Sequence, residues 1–409
     1  MKITYFYILS ISPILGYIIF SIFSLPPYYF LGFASVLILF HEFFINKNSH
    51  IIIPKFYFLL IILFIYYFIW DIFNGNIADV GIFKAIFKWD FNPLNVFAIL
   101  VIIYSTPVND KFIKNIILIF KITIVIAVIV SLAQLIINPN FFIPEYFSTT
   151  YNKYFDIYQA RRPSIFGFLG DNDLGFSFLP IMSLVIAYLL RMKDKTLYYW
   201  IILGGIVCVL SNARYIIIGY IIILFQVIIH DRLLINKFFL YSSGLILLAL
   251  ILMFLLSNIG GYNLNDYYQQ RLLSESADSR LLAGEMMIKF LPKYPIFGNG
   301  LSLSKEISDE LGGRSSQIHV GYFSHLVSYG IFGSIILYTF WILLLKSLYK
   351  KARITNFYGS FFSFAIFLWA NSVMVYYSLF TYGLIFSFIF DKYYYDKFLQ
   401  TNAFKNRIK

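Results

Sequence analysis

Twelve apolar runs, most of them near the length a helix needs to cross a bilayer, dominate this chain and leave few folds open to it. They fall at approximately 4–23, 28–44, 56–73, 91–105, 112–137, 165–190, 197–211, 214–230, 236–257, 320–346, 357–372 and 374–390. About 20 apolar residues in a helix span the hydrocarbon core of a membrane. The in–out alternation of barrel strands is absent, so helices remain as the way to satisfy every backbone N–H and C=O inside lipid. With 60% hydrophobic and 13% charged residues the chain lies outside soluble usage. The first run follows Lys2 directly, has no clear small-residue cleavage site and leads straight into another span, so it reads as a retained helix. No internal repeat, long linker or separable soluble domain interrupts residues 1–409, which are expected to form a single integral membrane domain.

An even number of spans puts both termini on one side, and Lys/Arg counts say which. The termini and the loops 45–55, 106–114, 191–196, 231–237 and 346–356 hold 19 Lys/Arg against 6 Asp/Glu when Glu42, at the edge of the first of these loops, is counted with them, whereas the opposite side holds 12 against 14. Both termini are therefore expected in the cytoplasm. The net charge of +12 is a topology signal, and no nucleic-acid motif accompanies it. The single cysteine, Cys208, lies inside a span and has no intrachain disulfide partner. HExxH and Cys/His clusters at ligand spacing are absent, so no metal is expected.

On this topology Arg214, in "VCVLSNARYIIIGY", faces outward at a tight turn between two spans of about 15 residues. A guanidinium there either snorkels to headgroups as an anchor or serves a site. The long loop 258–319 lies on the same side and is the only sizeable hydrophilic segment. Loops of that length are functional or disordered more often than inert. Within it "SADSRLLAGEMMIKFLPKYPIFGNG" predicts an amphipathic helix, with Ser279 or Asp278 as cap, Leu282, Met286 and Phe290 on one face, and Pro292 as the stop. Arg280 then occupies the first turn, where the helix dipole favours negative charge, and either a nearby anion or pairing with Glu275, Asp278 or Glu285 explains it. Gly298 and Gly300 offer a tight turn with exposed backbone N–H groups.

The loop closes at His319, where the tenth span is expected to leave the outer interface. A histidine there can deprotonate a sugar hydroxyl, donate to a phosphate oxygen, or simply bond a carbonyl. His325 lies six residues on, about 240° round a helix, and need not face the same site. A further cluster, Arg161, Arg162, Asp171, Asn172 and Asp173, opens the sixth span. The two aspartates point about 200° apart on a helix, which favours capping and ion pairing over a shared dyad.

The Arg-bearing turn "SNAR", the segment "SRLLAGEMMIKFLPKYPIFGNG", the His-led "HVGYFSHLVSYGIFG" and the stretch "RRPSIFGFLGDNDLG" together resemble the O-antigen polymerase and O-antigen ligase superfamily of bacterial envelope glycan assembly. The motifs cover roughly 160–345, and the twelve-span plan extends the likeness over the chain. The resemblance implies an all-α, polytopic, GT-C-like protein of the bacterial inner membrane. It has about twelve transmembrane helices and a large periplasmic loop, 258–319, that carries the amphipathic helix.

It also implies a substrate: an oligosaccharide on polyprenyl diphosphate at the periplasmic face. Arg214 and Arg280 would clamp the diphosphate, His319 would orient or deprotonate the acceptor hydroxyl, and Arg162, Asn172, Gly298 and Gly300 would bind diphosphate or glycan. No cofactor, metal or nucleotide sugar is required. Membrane lipids and a chain-length regulator are the other partners implied. Polymerase is the first reading and ligation to lipid A core the second. A flippase or transporter is a third, favoured chiefly by Lys121 within a span, although snorkelling to the cytoplasmic interface is the better account of that residue, since the span begins near 112.

Overall fold

The computed structural model describes residues 2–11, 34–38, 40–41, 53–73, 93–136, 178–210, 214–230, 243–244, 247, 275–299, 318, 320–372 and 382–408. Among them the regular structure is helical throughout, with no strand, as the apolar runs require. In chain order the principal helices are α1 (Lys2–Ile11), α2 (Phe58–Phe73), α3 (Pro93–Ser105), α4 (Asp110–Ile136), α5 (Leu179–Met192), α6 (Leu197–Leu210), α7 (Arg214–His230), α8 (Glu275–Phe290), α9 (Gly321–Thr355), α10 (Gly359–Asn371) and α11 (Tyr382–Ile408). Two are long and apolar enough to cross a membrane, Asp110–Ala133 within α4 and α9. Seven more helical stretches are apolar but only 10–17 residues long. The expected twelve full crossings are thus represented by two of crossing length among the described residues.

Two expected loops are helical instead. The 346–356 segment continues α9 to Thr355, and the helix stops only where Asn356 turns left-handed (φ 53°). Residues 391–408, expected as a cytoplasmic tail, extend α11. The first segment keeps Leu348 and Ala352 buried and the second Tyr393 and Tyr394, so helix continues past the point where hydropathy falls.

Hydrogen bonds fix the helix directions. Ser363 Oγ donates to Pro180 O (3.2 Å) and Ser183 Oγ to Gly359 O (2.9 Å), so α5 runs antiparallel to α10. Trp369 Nε1 donates to Tyr215 O (3.1 Å), which makes α7 antiparallel to α10 as well. One end of the bundle gathers basic side chains. There Lys2 Nζ reaches Ser105 O (3.1 Å), Lys397 pairs with Asp110 (2.8 Å), and Lys351 pairs with Asp391 (2.7 Å). The Arg191 guanidinium donates to Thr355 O at the same end and stacks 4.6 Å over Tyr394. The α1 start and the charged part of α11 therefore lie at one end, together with the 106–109, 191–196 and 356–358 turns.

The tenth expected span, 320–346, is not one straight helix. Gly330 takes φ 65°, ψ −175° and breaks it into α9a (321–329) and α9b (331–355). On a straight helix His325 and Trp341 would be about 24 Å apart. Their rings are 5.4 Å apart, and those of Tyr322 and Tyr338 are 5.9 Å apart. α9a therefore folds back along α9b as a re-entrant hairpin. Its start lies at the level of Trp341, about 16 Å of helix rise from the bend.

A break inside an apolar helix leaves backbone groups that must be satisfied locally. The segment 294–299, kept out of helix by Pro295, supplies the partners. Ile331 N donates to Pro295 O (2.8 Å), Phe332 N to Ile296 O (3.2 Å), and Asn299 N to Val327 O (2.8 Å). The buried Asn299 side chain caps two helix ends, donating to Phe290 O (3.1 Å) and Val327 O (3.3 Å). A Cβ on Gly298 would lie 2.6 Å from the Ser328 carbonyl carbon, and one on Gly330 would lie 2.6 Å from that of Ile296. Both positions thus require glycine for close approach as well as for positive φ. Trp70 Nε1 on α2 donates to Gly298 O (2.8 Å) and ties the seam to the bundle.

Candidate functional site

The elements that carry Arg214 and Arg280, and the start of α9a, meet at the end of α10 away from the basic turns, at the level of Trp341 and short of the Gly330 bend. α7 begins at Arg214, and the carbonyl of the next residue, Tyr215, accepts from Trp369 in the last turn of α10. The adjacent carbonyl, Leu368 O, accepts from Tyr322 Oη (2.8 Å) in the first turn of α9a. The end of α10 is thus held between the residue after Arg214 and a residue three beyond position 319. α8, which carries Arg280, packs Ala283, Met286 and Phe290 against Ile318, Val320 and Val327. His319 itself, Arg162, Asn172 and Gly300 lie outside the described residues, as do the side chains of Arg214 and Arg280.

This arrangement brings the starts of α7 and α9a to the same end of α10. A helix start leaves N–H groups without intrahelical acceptors and carries about half a positive charge. Val320, the residue before α9a, makes no side-chain cap. Two such starts at one place suit an anion before any side chain is counted.

Several expectations change here. α8 begins at Glu275, ahead of the expected Ser279 or Asp278 cap, because the polar residues 275–279 continue the helix. Arg280 is consequently in the second turn, where the dipole acts weakly, and an unfavourable first-turn charge no longer needs explaining. The buried face of α8 is Ala283, Met286 and Phe290, whereas Leu282 is 37% exposed. The Gly298 amide, expected as an exposed donor, donates to Tyr294 O (2.8 Å) inside the loop. Its glycine character follows from the approach to Gly330. Of the segment expected to open the tenth span, Val320 and Tyr322 belong to the start of the re-entrant half-helix α9a.

His325 is buried (1% exposed) among Tyr329, Tyr338 and Trp341 and belongs to the hairpin interior. Lys121 lies 5.1 Å over the Trp200 ring, near the 193–196 turn. In that turn Asp194 is held below the usual carboxylate range, first by the Thr196 N–H it accepts (2.8 Å) and in smaller part by the Lys121 charge. Lys121 therefore reaches toward the basic end, as snorkelling predicts. Sequence reasoning missed Gly330, Asn299 and Tyr322. Of these only Gly330 left a trace, as an isolated glycine within an apolar helical pattern.

Residues 197–338 match the family model described as O-antigen ligase. The matched segment runs from the start of α6 through the Gly330 bend and includes Arg214, Arg280 and His319. No curated protein sequence matches the chain.

Proposed function

We propose that this chain, whose 197–338 segment supports placement in the O-antigen polymerase and ligase superfamily, is a polymerase of O-antigen or capsular glycan. It transfers the reducing-end sugar of a polyprenyl-diphosphate-linked oligosaccharide to a hydroxyl at the non-reducing end of another lipid-linked unit. The observation that carries the reading is the meeting of the α7 start, the α9a start and α8 at one end of α10, all within or beside the matched segment. In this reading both termini and the basic turns are cytoplasmic, the site is periplasmic, and the membrane is the bacterial inner membrane.

The chemistry follows from charge. As the anomeric C–O bond to the diphosphate breaks, negative charge grows on the leaving oxygen. Arg214 and Arg280 offer planar forks to phosphate oxygens, and the two helix starts add partial positive charge in a setting poorer in water than bulk. His319 takes the proton of the acceptor hydroxyl as the new C–O bond forms, a role worth about 10²- to 10⁴-fold for a general base. Arg162, Asn172 and Gly300 are assigned to diphosphate or glycan binding. Gly298 shapes the 294–299 turn just before Gly300, its amide being used internally. A chain-length regulator would act from outside this machinery.

Ligation to lipid A core is the second reading, favoured by the description of the matched family. Deletion of the gene separates the possibilities. Loss of a polymerase leaves lipid A core bearing a single repeat unit where a ladder stood. Loss of a ligase leaves long polymer on polyprenyl diphosphate, and the polymerase reading then fails. Unpolymerised lipid-linked unit held on the cytoplasmic leaflet would reject both transferase readings in favour of a flippase.

A further inference from the structure

The end of α10 is tied on two sides. Tyr322 Oη, in the first turn of α9a, donates to Leu368 O (2.8 Å), and the next residue of α10, Trp369, donates through Nε1 to Tyr215 O (3.1 Å) in the first turn of α7. Leu368 O is one of the last four carbonyls of α10, which lack an intrahelical donor, and Trp369 O is taken by Ser372 N (3.0 Å) and Ser372 Oγ (2.6 Å). The Trp369 indole lies along α7 for a full turn, since a Cβ on Gly219 would stand 3.6 Å from its Cδ1. Tyr322 is held from its other side as well, because its carbonyl accepts from Tyr338 Oη (3.2 Å) on α9b. Tyr338, Tyr322, the end of α10 and Trp369 therefore form one hydrogen-bonded line from α9b to the start of α7.

A buried tyrosine hydroxyl or indole N–H ordinarily finds some acceptor, so the satisfaction of two polar groups explains that these bonds exist. It does not explain where they fall. Both lie at one end of one helix, and they join segments distant in sequence: residue 215 follows Arg214, which opens α7, and residue 322 is three beyond His319. The proposed transfer needs an acceptor hydroxyl aligned with the anomeric carbon as the diphosphate leaves, and a misplacement of about 1 Å costs such a reaction about 10²-fold. Apolar contact alone would let α9a and α7 slide along α10, because burial has no direction, whereas a hydrogen bond to a backbone carbonyl fixes both direction and distance.

We infer that Tyr322 and Trp369 are positioning residues, which act through the end of α10 to set the spacing between the segment that carries His319 and the α7 start that carries Arg214. The inference rests on the glycosyl-transfer reading of the site. Neither residue takes part in making or breaking bonds; each holds the backbone close in sequence to a residue assigned to that chemistry.

The test uses the purified full chain in lipid nanodiscs, with the lipid-linked oligosaccharide extracted from cells lacking the gene as donor and acceptor alike. Tyr322→Phe removes the hydroxyl and keeps the ring that packs on Tyr338 and Trp341, and Trp369→Phe removes the indole N–H. Each should lower kcat by about tenfold or more while KM stays within about twofold of wild type, and Tyr322→Phe should unfold near the wild-type temperature. Because either change breaks the same line, the double variant should fall no more than about twofold below the less active single, whereas two independent losses would multiply. Ser334→Ala, which removes the bond to His325 O (3.2 Å) one turn nearer the bend, should keep kcat within about twofold of wild type. Wild-type kcat in folded Tyr322→Phe overturns the inference. So does a multiplicative double variant, or an equal loss in Ser334→Ala, which would mean that any loosening of the hairpin suffices. If one single variant fails to fold, the other and Ser334→Ala decide. Arg214→Lys and Arg280→Lys, run in parallel, separate the levels: full activity in both, or no transfer by the wild type, sinks the transfer reading and the inference with it, whereas their inactivity beside wild-type kcat in Tyr322→Phe removes the positioning role alone.

Discussion

Gly330→Ala tests the re-entrant hairpin, because the structure gives this position no room and no alternative conformation. At φ 65°, ψ −175° an L-residue sits in a region that is essentially glycine-only, at a cost of about 1–3 kcal/mol. The added Cβ would also lie 2.6 Å from the Ile296 carbonyl carbon, and backbone cannot rotate away as a side chain can. Relief requires the 295–299 segment to part from the bend, which exposes the three bonds Ile331 N to Pro295 O, Phe332 N to Ile296 O and Asn299 N to Val327 O. At about 1 kcal/mol each, these bring the total to about 4–6 kcal/mol. Gly284→Ala is the control: the nearest atom to its Cβ would be Phe323 Cε2 at 4.0 Å, and alanine favours helix over glycine by about 1 kcal/mol. Thermal unfolding of the purified protein in nanodiscs should therefore show a large fall for Gly330→Ala, with loss of glycan transfer, and no fall for Gly284→Ala. A Gly330→Ala protein that unfolds at the wild-type temperature would refute the fold-back and its stitching.

Two further outcomes follow from the basic end of the bundle. Lys351→Met leaves Asp391 buried without its 2.7 Å partner and should destabilise by about 3–5 kcal/mol, whereas Lys351→Met with Asp391→Leu should recover most of that loss in the same assay. Equal losses in the single and double variants would mean that the pair is not what couples α9 to α11. In a Cys208→Ser background, an impermeant thiol reagent on intact cells should label Lys305→Cys and spare Arg353→Cys, and the opposite pattern would place the site in the wrong compartment.

The apolar runs made much of the helical plan legible. The run 214–230 coincides with α7, and 197–211 differs from α6 by one residue, because turn residues bracket these segments. The hairpin was hidden because apolar periodicity continues unbroken through Gly330, while the partners that permit the break sit more than 30 residues upstream in 294–299. Local pattern carries no information about such a stitch. On α8 the spacing of Leu282, Met286 and Phe290 fits a face as well as Ala283, Met286 and Phe290 does, and only packing against Val320 and Val327 chooses between them. At the site, charge made Arg214 and Arg280 conspicuous in an apolar chain.

The central proposal is that Arg214 and Arg280 stabilise a departing diphosphate, and the direct measurement is transfer by the purified chain carrying Arg214→Lys or Arg280→Lys. Lysine keeps the charge but not the planar fork. With a polyprenyl-diphosphate-linked repeat unit as donor, and with folded protein matched by thermal unfolding, each variant should lose about 10²-fold or more in kcat. Wild-type kcat in both would contradict the account and leave the two arginines as interfacial anchors or surface ion pairs.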